Sequence, residues 1–134
     1  MKKDIKDIVN RADIQLLVDT FYSKVRADET IGYLFNDVAK VNWEQHLPRM
    51  YDFWENILFQ TGGFKGNPMA AHVQLHQKSP LTAEHFARWQ QLFLSTVDEL
   101  FEGEMAELIK QRARSIATMM QIKVSPSNDP RSII

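Results

Sequence analysis

Four long stretches of this chain repeat apolar residues at the spacing of an α-helix, and nothing else in the sequence competes with that pattern. Ile14, Leu17, Val18, Phe21, Tyr22 and Val25 recur at i, i+3 and i+4, with Asp13 placed to cap the helix they predict. Trp43, His46, Leu47, Met50, Phe53, Trp54 and Ile57 form a second stripe, and Pro48 falls in its first turns. A third runs through Phe86, Trp89, Phe93, Val97, Leu100 and Phe101, capped by Thr82 and stopped by Gly103. Met105, Leu108, Ile109, Arg112, Ile116 and Met119 make the fourth. No strand alternation of five or more residues and no internal repeat stands out. The expected class is all-α.

Composition removes most chemistries. The chain has 134 residues, a formal charge of −1 and no cysteine. A chain of this size buries about 68% of the surface its unfolded form exposes, enough for one domain. Zero cysteine excludes a disulfide scaffold, thiolate-ligated zinc or iron–sulfur, and a cysteine nucleophile. Near-neutral charge removes the electrostatic case for nucleic acid or an anionic membrane. Charged residues interrupt the N-terminus at Asp4, Lys6 and Asp7, so no signal peptide is expected, and no 18-residue apolar run predicts a membrane span. The expectation is a cytoplasmic domain over residues 1–124 with a loose tail over 125–134, where Pro126 and Pro130 break any pattern.

The middle of the chain departs from the rest. Residues 61–68, TGGFKGNP, stop any helix, and residues 69–76 allow only about two turns before Pro80. So short a helix stabilises itself poorly, and it carries His72 beside Met69, Val73 and His76. A lone histidine more often bonds a backbone carbonyl than a metal; as a ligand it offers one nitrogen while the other N–H fixes its tautomer. His46 on the second stripe, Tyr22 on the first and Trp89 on the third are polar groups on apolar faces, each in need of a partner once buried. Each alone is more often core than cofactor wall.

Taken in order, these residues resemble a known family. Phe21-Tyr22-Ser23-Lys24-Val25-Arg26 ends the first stripe, and Ile31-Gly32-Tyr33-Leu34-Phe35-Asn36 comes after it. Trp43-Glu44-Gln45-His46 leads to Phe53-Trp54; Gly66-Asn67-Pro68 precedes His72; His85-Phe86-Ala87-Arg88-Trp89 leads to Leu92-Phe93. From about Asp13 to Lys123 the chain is similar to the third, or P, group of truncated haemoglobins. The resemblance implies a shortened globin fold, two helices over two, around a haem b. It implies His72 as the proximal iron ligand, and Tyr22, His46 and Trp89 on the distal side. Phe35 would pack on the porphyrin, and Met50, Phe53, Trp54 and Phe86 would line the pocket. His76 and His85 have no clear family role and are expected at the surface; Arg49 is placed to approach a haem carboxylate. The helix that precedes the first long one in larger globins is expected to shrink to Lys3–Asn10 at most.

The function so implied is binding of dioxygen and other diatomic ligands at a five-coordinate iron, tightly and with slow release. Two alternatives stand beside it. The same site could act as a peroxidase-like or nitric-oxide-oxidising enzyme fed by an unknown reductase, or the chain could be a haem-free helical interaction module. A monomer or weak dimer is expected.

Overall fold

The computed structural model describes residues 5–38, 40–60 and 81–124. Four α-helices carry it: α1 (Arg11–Ala27), α2 (Trp43–Phe59), α3 (Ala83–Leu100) and α4 (Glu104–Val124). A π-helical turn, Leu34–Val38, lies between α1 and α2. Among the described residues there is no strand, only an isolated parallel bridge of Lys6 to Phe101. Helix α1 packs on α2 and α3, α3 runs against α4, and α2 also meets α4. One pair of helices therefore lies over another, as the stripes and the resemblance led us to expect.

The apolar stripes become the core. Ile14, Leu17, Val18, Phe21 and Val25 of α1 are all fully buried. Phe21 meets Phe93 edge-on at 5.1 Å between ring centroids, and Trp54 stacks on Phe93 at 4.6 Å. That aromatic spine joins α1, α2 and α3 in one contact. Thr96 is buried beside it, and its hydroxyl donates to the Leu92 carbonyl at 2.6 Å, which removes the penalty of burying it.

Helix ends follow the sequence at some positions and depart from it at others. Thr82 caps α3 as expected: it accepts from the His85 N–H, while its own N–H donates to His85 Nδ1. Helix α1 starts earlier than expected. Its cap is Asn10, whose side chain accepts the Asp13 N–H at 3.0 Å. The Asp13 carboxylate instead reaches back to the Val9 N–H and to Lys6. Asn and Asp cap about equally well, and the chain entering α1 leaves Asp13 turned toward it. Pro48 sits a full turn inside α2 and leaves the Glu44 carbonyl without its intrahelical donor.

The expected residual helix over Lys3–Asn10 does not form in its described part. Residues 5–10 run irregularly beside Phe101, and the Glu102 N–H donates to the Lys6 carbonyl at 2.9 Å. This path delivers Asp7 to the start of α4, where its carboxylate accepts from the Met105 and Ala106 N–H groups at 2.9 and 2.8 Å. A cap supplied from 98 residues away closes the chain on itself. Gly103 makes room for it. Its φ is +144°, and a Cβ there would lie 2.5 Å from Asp7 Cγ. Gly103→Ala should therefore cost about 2 kcal/mol or more, from backbone strain plus the displaced cap. Urea unfolding measures it, and the loss should fall short of additive when combined with Asp7→Ala.

Candidate functional site

Tyr22 projects from the inner face of α1 and is 5% exposed. Three rings from two other elements close around it. Phe35 approaches at 6.1 Å from the π-helical turn, Trp43 at 5.3 Å and His46 at 5.2 Å from the first turns of α2. The extra residue of a π turn re-aims side chains, a device common at functional sites. Burial alone pushes the Tyr22 phenol far above its ordinary range, so it stays a neutral donor at physiological pH. Among the described residues its hydroxyl has no hydrogen-bond partner. His46 Nε2 is shielded from solvent.

Phe35 also forms part of an apolar cavity with Ile31, Leu34, Phe86, Trp89 and Met120, with Leu81 and His85 at its edge. Its volume is about 30 Å³, room for one or two waters. Trp89 stands edge-on to Phe21 at 5.7 Å and parallel to Phe93 at 5.8 Å, so it joins the cavity wall to the core. The polar cluster and the apolar cavity thus share one wall, at Phe35.

Asp28 holds the approach to this cavity. Its carboxylate accepts from the Thr30 and Ile31 N–H groups and from Arg88 Nε at 2.7 Å. Burial raises its pKa, but Arg88 and the two N–H groups outweigh that and hold it below the usual carboxylate range. Asp7 is also held low: burial raises it, and the N–H groups at the start of α4 bring it down. Both therefore release their protons more readily folded than unfolded. The stability they add is complete above about pH 4 and is lost as pH falls through their lower folded values. Asp28→Asn should flatten the acid limb of the stability curve, measured by urea midpoints between pH 3 and 6 (an approximate window set by carboxylate titration).

The residues expected at the site divide three ways. Tyr22, Phe35 and His46 come together, and Phe86 and Trp89 share the cavity with Phe35. Trp54 lies in the core on Phe93 and is 2% exposed; Phe53 meets it edge-on at 5.0 Å, and Met50 packs against the same core. His72 and His76 lie outside the described residues. Two residues gain a place that sequence reading withheld. Trp43 is part of the cluster around Tyr22, and its only sequence signal is its position three residues before His46 on one stripe. His85, expected at the surface, is half-buried: it caps α3, contacts the Tyr33 hydroxyl at 3.4 Å and borders the cavity.

Among the described residues no group of three or more His, Asp or Glu could hold a metal ion, and no helix is long and apolar enough to cross a membrane. No protein-family model matches the chain. The chain is 31% identical over 118 residues to group 3 truncated hemoglobin ctb of Campylobacter jejuni, across 86% of its own length and 91% of the relative's. The crystal structure of group III truncated hemoglobin from Campylobacter jejuni superposes with a TM-score of 0.80 at 28% identity, covering 93% of this chain and 98% of that one. Similarity over nearly the whole length of both chains, together with helices paired two over two, leads to one conclusion: the chain belongs to the group III truncated haemoglobin family.

Proposed function

We propose that the chain binds haem b, with His72 as its proximal iron ligand, and takes dioxygen or another diatomic ligand on the side walled by Tyr22, His46 and Trp89. The observation that carries this reading is the neutral Tyr22 phenol, ringed by Phe35, Trp43 and His46, beside an apolar, aromatic-walled cavity.

The residues fit a flat apolar macrocycle. Phe35, Phe86 and Trp89 offer aromatic faces, and Ile31, Leu34 and Met120 offer aliphatic ones. Haem, when bound, supplies an iron with a coordination position open to a diatomic ligand. The protein contributes the rest. Tyr22 is a donor that keeps its proton, and the Trp89 indole can only donate. Both favour a ligand that carries partial negative charge over an apolar one such as carbon monoxide. Two such donors at about 1–2 kcal/mol each slow dioxygen escape by roughly 30- to 800-fold. Slow release suits sensing, scavenging or catalysis better than delivery.

Reconstitution with haemin tests this. We expect an intense Soret band at one haem per chain, a rise in thermal stability on loading, and loss of both in His72→Ala. A chain that stays colourless, with stability indifferent to haemin, would overturn the proposal in favour of a haem-free module.

A further inference from the structure

Trp43 does more than line a wall. Its ring lies between buried Tyr22 and solvent: it meets Tyr22 at 5.3 Å and His46 at 5.6 Å, and stacks toward Phe35 at 6.2 Å. Trp43 itself is half-buried, and its outer face is covered by an exposed arginine, with Arg26 Cζ 4.9 Å from the ring centroid. The end of α1 that bears Arg26 is pinned in turn, because Asn36 Nδ2 donates to the Arg26 carbonyl at 3.1 Å. One series of contacts therefore runs from the exposed Arg26 through Trp43 to the Tyr22 ring, which Trp43 meets at a tilt of 57°. The two residues come from different elements, the last turn of α1 and the first of α2, so their contact spans the gap between those elements beside Tyr22.

We infer that Arg26 and Trp43 form a latch over the Tyr22 pocket: the guanidinium holds the indole in place, and the indole controls how fast small molecules reach the phenol. This inference deepens the haem-globin reading and rests on it for the identity of the ligand, though not for the existence of the latch. A guanidinium over an indole at an exposed site is worth a factor of about 2 to 5 in population. The rotamer freedom of an exposed arginine makes opening frequent, so the pair would throttle entry without sealing it. Arg26 and Trp43 are positioning residues here: neither bonds a ligand, and both act through access to Tyr22.

The test uses the full chain with and without added haemin. In the haem-free chain, tetranitromethane nitrates accessible tyrosines, and peptide mass spectrometry reads each site. Tyr33, 40% exposed, serves as the internal reference for Tyr22. Arg26→Met keeps the aliphatic stem and removes the cation; it should raise nitration of Tyr22 relative to Tyr33 by about 2- to 5-fold. Trp43→Ala should raise it further, and Arg26→Lys, which keeps a cation over the ring, should restore much of the protection. In the haem-loaded chain, Arg26→Met should speed association of carbon monoxide by the same factor, since that probe is insensitive to the Tyr22 donor. Unchanged Tyr22 nitration in both Arg26→Met and Trp43→Ala overturns the latch. Raised nitration with an unchanged carbon monoxide rate overturns its role in access. Arg26→Met is a surface change and is expected to fold even where Trp43→Ala does not. If haemin gives no Soret band, the haem reading fails, while the nitration result still decides the latch.

Discussion

Tyr22→Phe is expected to leave the stability of the haem-free chain nearly unchanged near neutral pH and to make its haem-loaded form a poorer keeper of dioxygen. Both expectations rest on one hydroxyl. Phe fills the same space among Phe21, Phe35, Trp43 and His46, so packing is retained. The variant removes only the hydroxyl and should change stability in urea unfolding by less than about 1 kcal/mol. It should also flatten the alkaline limb. The Tyr22 phenol titrates higher folded than unfolded, so its neutral form favours the fold fully below about pH 10. That contribution is lost as pH rises past this point, because the unfolded chain releases a proton the folded chain keeps. The same change should speed dioxygen escape by about 5- to 30-fold, measured by stopped-flow displacement. An unchanged escape rate would remove Tyr22 from the ligand site. A loss of stability would show that its hydroxyl has a structural partner.

Trp54→Ala should be the most damaging single change in the core, at about 3–5 kcal/mol. Its ring is 2% exposed, stacks on Phe93 at 4.6 Å and takes Phe53 edge-on at 5.0 Å. Removing it leaves a void where α2 meets α3, and Phe93, already touching Phe21 and Trp89, cannot shift to fill it without breaking those contacts. The loss is a large share of the 5–15 kcal/mol typical of a domain, so unfolding should begin at lower urea with little change in slope. Trp54→Phe keeps a stacked ring and should cost less than half as much. A loss under about 1 kcal/mol for the alanine variant would mean that the helices close over the void. Trp54 thus lies in the aromatic spine, whereas Tyr22 lies in the cluster with Trp43 and His46, although both are expected from the sequence at one pocket.

That grouping shows where reading by pattern stops. A stripe tells which side of a helix is inward, and for Tyr22, His46, Trp54 and Trp89 the inward assignment holds. It does not tell which part of the interior each residue reaches. Two residues of one stripe on α2 diverge: His46, near its start, meets Tyr22, and Trp54, about two turns on, meets Phe93. The start of α2 faces the Tyr22 cluster and its middle faces the aromatic spine, a difference set by how α1 crosses it. Trp43 was legible as an apolar residue of a stripe and of the family's motif, but its place between Arg26 and Tyr22 depends on two chain segments meeting.

What the sequence determined by itself was local. The 3.6-residue period specified four helices, Thr82 and Gly103 bounded the third, and the order of aromatic and histidine positions carried the family. Those features need only neighbours along the chain to act. The tertiary structure decided what distance in sequence conceals: Asp7 capping a helix 98 residues on, Asn10 displacing Asp13 as the cap of α1, a π-helical turn presenting Phe35, and His85 drawn to the edge of a cavity. Each depends on backbone groups or rings brought together by packing. A hydrogen bond or a ring contact acts over a few ångströms, and only the folded chain makes distant residues that close.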